Sequence, residues 1–444
     1  MAKAKRRPAN SKTPKKPTTK KSLDLLLRGI GSLYTLDGAA QKSARHIKEE
    51  DLGEIKEAAL AVIDGKIVYA GPERKLPRTL KARFESRSGA RSNAYLARTE
   101  DLGGATVLPA LVECHSHLLF AGNRAAEFER RNQGESYQDI AKSGGGILAT
   151  VLPTRKASEV ELARIAQERI ERFLRQGVTT IEVKSGYGLT IEAELKMLKA
   201  MKRLRRARVV PTFLGAHAIP REHAGNPEAW INELISEALP ILDREGLACR
   251  VDIFVEEGYF NKDLARTYLK AARKYGLDLV LHADQLTHSG GADLAVELSA
   301  RSADHLLRIT DREVQTLAQS DVTCVLLPSA DLYMNCPYPP ARALIDAGAR
   351  VALATDFNPG SAPSQDTALV GVLARVQMKM TLPEVIGAYT IGAAHALGLD
   401  DQLGSLSHGK RGDFVVLTGG IEELFLEVGR QPVVRVYREG HRLI

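Results

Sequence analysis

The chain is expected to be an α/β protein, a (β/α)8 TIM-like barrel joined to a small β-sandwich that its N- and C-terminal segments build together. Three observations predict this. Between about residues 111 and 355 short apolar runs alternate with helical patterns, which is the rhythm of parallel βαβ units. On either side of that stretch lie short β-rich runs. Histidines, lysines and carboxylates gather at the ends of the apolar runs, where parallel barrels carry their chemistry.

Taken in order, the chain divides into a tail at 1–21, a composite β-sandwich from 22–107 and 401–444, and the barrel at 108–400. The tail holds nine Lys or Arg and no acid, against a net charge of +8 for the whole chain. The body is therefore close to neutral, which argues against a nucleic-acid-binding face. A segment rich in Lys, Pro, Ser and Thr cannot bury enough apolar surface to order itself. It also lacks the apolar core of a secretory signal.

In the sandwich, runs at 25–36, 58–63 and 66–70 read as strands, the last two joined by Asp64-Gly65, a strong hairpin signal. Runs at 413–417 and 432–437 supply strands from the other end. Barrel strands are expected at 111–117, 178–183, 209–215, 251–255, 277–281, 322–327 and 351–355, with an eighth near Ala303. Ser158 and Glu161 fit a capping box ahead of a helix stopped by Gly177, and a second helix should run from about 190 to 206.

With 44% hydrophobic and 26% charged residues, the chain has the balance of a globular protein rather than a disordered or membrane one. No apolar stretch approaches the 18 or so residues of a membrane span. The four cysteines show no metal or disulfide spacing, so a reducing compartment, and with it a cytoplasmic location, is expected.

The chemistry begins at Glu113-Cys114-His115-Ser116-His117. Side chains two apart on a strand share a face, so His115 and His117 can both point into the barrel. A His-x-His pair alone is a weak signal, and its place at the end of the first barrel strand strengthens it. His282 and Asp356 end two later strands. Alone, one is a satisfied core histidine and the other a helix N-cap. Together the four offer three nitrogens and one oxygen to zinc or iron. Lys184 with Tyr187, His217, Glu256 and His305 add acids, bases and donors from further strand ends. Lys184 has the alternative role of a modified ligand bridging two metals. Gly404 to Lys410 matches a phosphate loop in part, but Arg411 replaces the required Ser or Thr and a strand follows instead of a helix. Gly144-Gly145-Gly146 reads as a mobile loop near the site.

These residues resemble the amidohydrolase superfamily. The likeness runs through HSHLLFAGNRAAEF at 115–128, GESYQDI at 134–140, SGGGILAT at 143–150, EVKSGYGL at 182–189 and TFLGAHAIP at 212–220. It continues through HADQL at 282–286, SADHL at 302–306, TDFNPGS at 355–361 and GSLSHGKRGD at 404–413. It is strongest with the branch that opens the cyclic amide of 4-imidazolone-5-propanoate, giving N-formimino-L-glutamate in histidine degradation.

The resemblance implies one divalent or trivalent metal ion, zinc or iron, on His115, His117, His282 and Asp356. It implies substrate contacts from Arg124, Tyr137, Tyr187 and His217, with Arg124 near the propionate, and a pocket completed by Asn358, Gly360 and Ser361. Asp356 would move the proton and His305 would assist. The resemblance also suggests a homodimer, and no nucleic-acid or membrane partner is expected. Many members have Glu three residues after the third metal histidine; here it is Gln285, also counted among the catalytic and substrate-binding residues. Gln can hydrogen-bond a ring nitrogen but cannot act as a base. The competing enzyme reading is a heterocycle deaminase of the same superfamily, from which Arg124, Tyr137 and the segment 358–361 would distinguish it.

Overall fold

A computed structural model describes residues 22–85, 95–135, 140, 145–430 and 432–444. The basic tail expected at 1–21 lies outside the described residues. Eight parallel strands form the barrel in sequential order: β6 (Leu111–Glu113), β7 (Val178–Lys184), β8 (Arg208–Ala216), β9 (Arg250–Val255), β10 (Asp278–Ala283), β11 (Ser302–His305), β12 (Thr323–Leu326) and β13 (Arg350–Leu353). The ring is drawn together beyond the ends of β6 and β13. There Ser116 bridges Phe357, and the His117 amide donates to the Phe357 carbonyl at 2.9 Å.

Alternation along each strand sorts the side chains. On β7, Ile181 and Val183 join the main apolar core against the surrounding helices, while Glu182 and Lys184 occupy the alternate positions. On β9, Val251, Ile253 and Val255 do the same, and Asp252 takes the opposite face. A period of two thus turns buried runs into an apolar shell around a charged interior.

Both ends of the chain enter one mixed sheet. Its order is β16 (His441–Arg442), β15 (Val433–Arg438), β14 (Phe414–Leu417), β5 (Thr106–Pro109), β1 (Ser22–Tyr34), β2 (Glu54–Ile63), β3 (Lys66–Pro72), with β4 (Tyr95–Asp101) also paired to β1. One apolar cluster joins Leu25, Leu27 and Val62 to Phe414, Val416 and Tyr437, so the two flanks of the sheet pack on a common core. Alternate residues Val415 and Leu417 belong instead to the barrel core, which fixes the sheet against the barrel. The β2–β3 hairpin turns at Asp64 and Gly65, both with positive φ, as an Asp-Gly turn favours.

Two local expectations need correction. Ser158 caps the helix Glu159–Arg175 by accepting from the Glu161 amide at 3.2 Å, but no reciprocal capping box forms, and the Glu161 carboxylate pairs with Arg164. The second helix spans Ile191–Met201 and stops short of 206. Arg206 adopts φ 71° as the chain turns back into β8.

Candidate active site

The strand ends bring the expected ligands to one point inside the barrel mouth. His115 Nε2 lies 3.3 Å from His117 Nε2, and His117 Nε2 lies 3.4 Å from His282 Nε2. Asp356 Oδ1 stands 3.4 Å from both His115 Nε2 and His117 Nε2. A tetrahedral ion with ligand arms of about 2.0–2.1 Å has ligand-to-ligand edges of about 3.3–3.4 Å. The separations among His115, His117 and Asp356 therefore fit a zinc-sized cation, with His282 adjoining them through His117 and grouping with His115 and His305.

Electrostatics lead the same way. His115 Nδ1 is 2.6 Å from Asp304 Oδ2. With Nδ1 carrying the proton into that bond, Nε2 presents a lone pair to the Asp356 carboxylate. Two acceptors face each other with nothing between them to donate, an arrangement that a cation relieves. Burial works against the charge of Asp356, yet the neighbouring His115 and His117 hold its carboxyl well below the usual range. Burial first, and then the nearby charges of Lys184 and His282, drive His115 well below its ordinary value, so it stays neutral.

Behind the ligands lies a layer of buried charge. Lys184 Nζ sits 2.7 Å from Asp252 Oδ2 and 2.9 Å from Glu182 Oε2, fully buried. Burial opposes its charge, but Asp252, Glu182 and Asp304 outweigh it and raise the ammonium above its usual pKa. Its contacts are with the carboxylates behind the histidine cluster. His282 Nδ1 approaches Asp252 Oδ2 at 3.0 Å, an ionic contact not aligned as a hydrogen bond. Burial pushes Asp304 up to about 7.

The cavity above encloses about 620 Å³, mouth included, and is lined by Arg124, Tyr187, His217, Gln285, His305, Asn358 and Ser361 together with His117, His282 and Asp356. Tyr137 lies outside the described residues. His217 Nδ1 is 3.0 Å from the Gly186 carbonyl, which leaves Nε2 as its acceptor, and its ring stacks on His117 with centroids 5.1 Å apart. Gly186 has φ 107°, and a Cβ there would meet His217 Nδ1 at 3.0 Å, so the glycine permits this approach. Arg124 is buried and pairs with Glu127 at 2.7 Å. Glu127 also accepts from the Gly146 amide at 3.0 Å, tying down one end of the glycine-rich loop.

His305 has φ 79° and Asp356 φ 53°, so two chemistry-bearing residues occupy a left-handed backbone conformation rare for non-glycine residues. Burial lowers His305 to about 3, keeping it neutral, and its Nδ1 has no partner among the described residues. His305 also groups with His115 and His282, with ligand atoms within 4.8 Å of one another. The Asn358 amide is engaged by its own loop: Oδ1 accepts from Gly360 and Ser361 amides at 2.8 Å, and Nδ2 donates to the Asp356 carbonyl at 2.7 Å. Its evident work is to shape the turn that presents Asp356.

Several site residues escaped the sequence reading. Asp304 and Asp252 approach His115 Nδ1 and His282 Nδ1 at 2.6 and 3.0 Å, and Phe254, Tyr259 and Met334 line the cavity. The available signal for Asp252 is a lone acid inside an otherwise apolar strand run.

A parallel barrel with three imidazoles and a carboxylate converging at its strand ends defines an amidohydrolase-type barrel hydrolase. Comparison with known proteins agrees. Residues 106–443 match the model of the amidohydrolase family. The imidazolonepropionase of Bdellovibrio bacteriovorus is 50% identical over 95% of this chain and 97% of its own. That of Myxococcus xanthus is 46% identical over 89% and 91%. Among solved structures, an adenosine deaminase from Xanthomonas campestris with bound zinc superposes with a TM-score of 0.66 at 18% identity, covering 95% of this chain and 92% of that one. At that identity the likeness concerns the fold. The chain belongs to the amidohydrolase family and, within it, to the imidazolonepropionases.

Proposed function

We propose that the chain hydrolyses the ring amide of 4-imidazolone-5-propanoate to N-formimino-L-glutamate, with His115, His117, His282 and Asp356 holding one zinc or iron ion. The observation that carries this reading is a single cavity lined both by His117, His282 and Asp356 and by the buried Arg124. That pairing suits a small cyclic amide bearing a carboxylate.

When bound, the ion supplies Lewis-acid polarisation of the ring carbonyl and acidifies a water. Asp356, held ionised by His115 and His117, accepts the water's proton and returns it to the ring nitrogen as the carbon–nitrogen bond breaks. His305, kept neutral by burial, is placed to donate to the carbonyl oxygen as negative charge develops there. Arg124 binds the propionate, while Tyr187, His217 and Gln285 surround the ring. Tyr137 and the segment 358–361 complete the pocket in the same proposal.

Cytoplasmic histidine degradation and a homodimer belong to this reading. No described helix is long and apolar enough to cross a membrane; light scattering checks the dimer. The deciding experiment follows loss of ring absorbance on adding imidazolonepropionate to purified protein, with metal content measured on the same sample. A metal-loaded sample that leaves the ring intact would sink the proposal.

A further inference from the structure

Two of the three imidazoles at the site are backed by carboxylates, and one ammonium stands behind both. Lys184 Nζ lies 2.7 Å from Asp252 Oδ2 and 3.8 Å from Asp304 Oδ2. These same oxygens meet His282 Nδ1 at 3.0 Å and His115 Nδ1 at 2.6 Å. We propose that Lys184 is a positioning residue of the metal site, which holds Asp252 and Asp304 in place and so sets the orientation and tautomer of His282 and His115.

This rests on the ligand reading above. Its support is the route the side chain takes. Lys184 ends β7, whereas Asp252 lies on β9 and Asp304 on β11, so no pair among the three comes from neighbouring strands. Backbone pairing cannot bring these groups together; a long side chain crossing the barrel interior does. Glu182, two residues earlier on the same face of β7, anchors Nζ from a third direction at 2.9 Å.

Carboxylates that receive the distal nitrogen of a ligating histidine fix its ring and tautomer, and their loss weakens metal binding. His117 provides the internal contrast. Among the described residues its Nδ1 has neither a hydrogen-bond partner nor a carboxylate in ion-pair contact, whereas His282 Nδ1, likewise without an aligned hydrogen bond, has Asp252 Oδ2 at 3.0 Å, so His117 is not tethered through Lys184. Removing the ammonium should therefore loosen two ligands at once. It would also leave three buried carboxylates with less positive charge among them.

The test uses the full-length zinc-loaded enzyme and measures its zinc dissociation constant by chelator competition. K184M is expected to weaken zinc binding about 10- to 100-fold, while K184Q, which retains N–H donors, loses less. The Nδ1 protonation of His115 and His282, read from ¹⁵N shifts of the metal-free protein, should become mixed in K184M but not at His117. Folded K184M with wild-type zinc affinity and unchanged tautomers would overturn the proposal.

If K184M does not fold, K184Q carries the test alongside D252N and D304N. Wild-type zinc affinity in all three overturns the proposal. Weakening in all three upholds it. Failure of the wild-type chain to bind zinc is a separate result that brings down the ligand reading itself.

Discussion

The guanidinium of Arg124 stands where a side chain at Gly360 would begin. A Cβ on Gly360 would fall 2.0 Å from Arg124 Nη1 and 2.5 Å from its Cζ. The loop that follows the metal-ligand candidate Asp356 thereby sets the place of the cation assigned to the substrate carboxylate.

Gly360→Ala is accordingly expected to displace Arg124 and raise KM, with metal content unchanged. An ionic hydrogen bond contributes about 1.5–3 kcal/mol, so complete loss in Arg124→Gln should raise KM roughly 10- to 100-fold, and G360A should fall between that and wild type. Steady-state kinetics check this. Unchanged KM in both variants removes Arg124 from substrate binding.

Asp356→Asn keeps the size of the side chain but not its basicity. Turnover should fall by about 10² to 10⁴, the usual span for an acid–base group, with KM changed only a few-fold. Metal analysis of the same sample separates lost proton transfer from lost metal. Preserved kcat would exclude Asp356 from the mechanism.

Stripping metal with a chelator should abolish ring opening while leaving far-ultraviolet circular dichroism nearly intact, because eight paired strands hold the barrel without help from the site. Zinc or iron should restore turnover, and comparing the two on one preparation identifies the better cofactor. An apo-protein with full activity contradicts the metal reading.

His288 Nε2 lies 2.9 Å from Glu313 Oε1, and this hydrogen bond, ahead of the opposing effect of desolvation, raises the histidine's pKa. A folded-state pKa above the unfolded value of about 6.5 favours folding most when the histidine is protonated. The stabilisation is complete below the unfolded value and is lost as pH rises through the folded one. Glu313 is shifted down despite its burial, by the Thr310 amide first and then His288, and so stays ionised through that window. The Tm difference between wild type and H288Q should therefore be larger near pH 5.5 than near pH 9. Thermal melts across that range would refute the assignment if the difference grew with pH.

The barrel was legible because its strands are local apolar runs separated by helical patterns. His115 and His117 stood out through spacing and strand placement, while His282 and Asp356 drew most of their weight from acting together and from the family resemblance. The strands β4 and β5 were not foreseen. Tyr95–Asp101 contains Arg98, Glu100 and Asp101 with little apolar alternation, and its partner in β1 lies some seventy residues earlier. Its pairing is a tertiary matter that local pattern does not encode. Asp252 and Asp304 were likewise hidden, since what matters is their approach to Lys184 across the barrel, and spacing along one strand carries no record of it.

The joining of both chain ends in one sheet has a consequence for biosynthesis. β14 inserts between β5 and β15, so Val107 and Leu108 have their outer neighbour only after residues 414–417 exist. A growing chain on the ribosome can assemble barrel strands in sequence, but it must carry an unsatisfied sheet edge until residues 414–417 have been made. Exposed edges of this kind recruit other chains. Premature termination after the barrel but before residues 414–417 should therefore yield aggregation rather than a shortened, working enzyme.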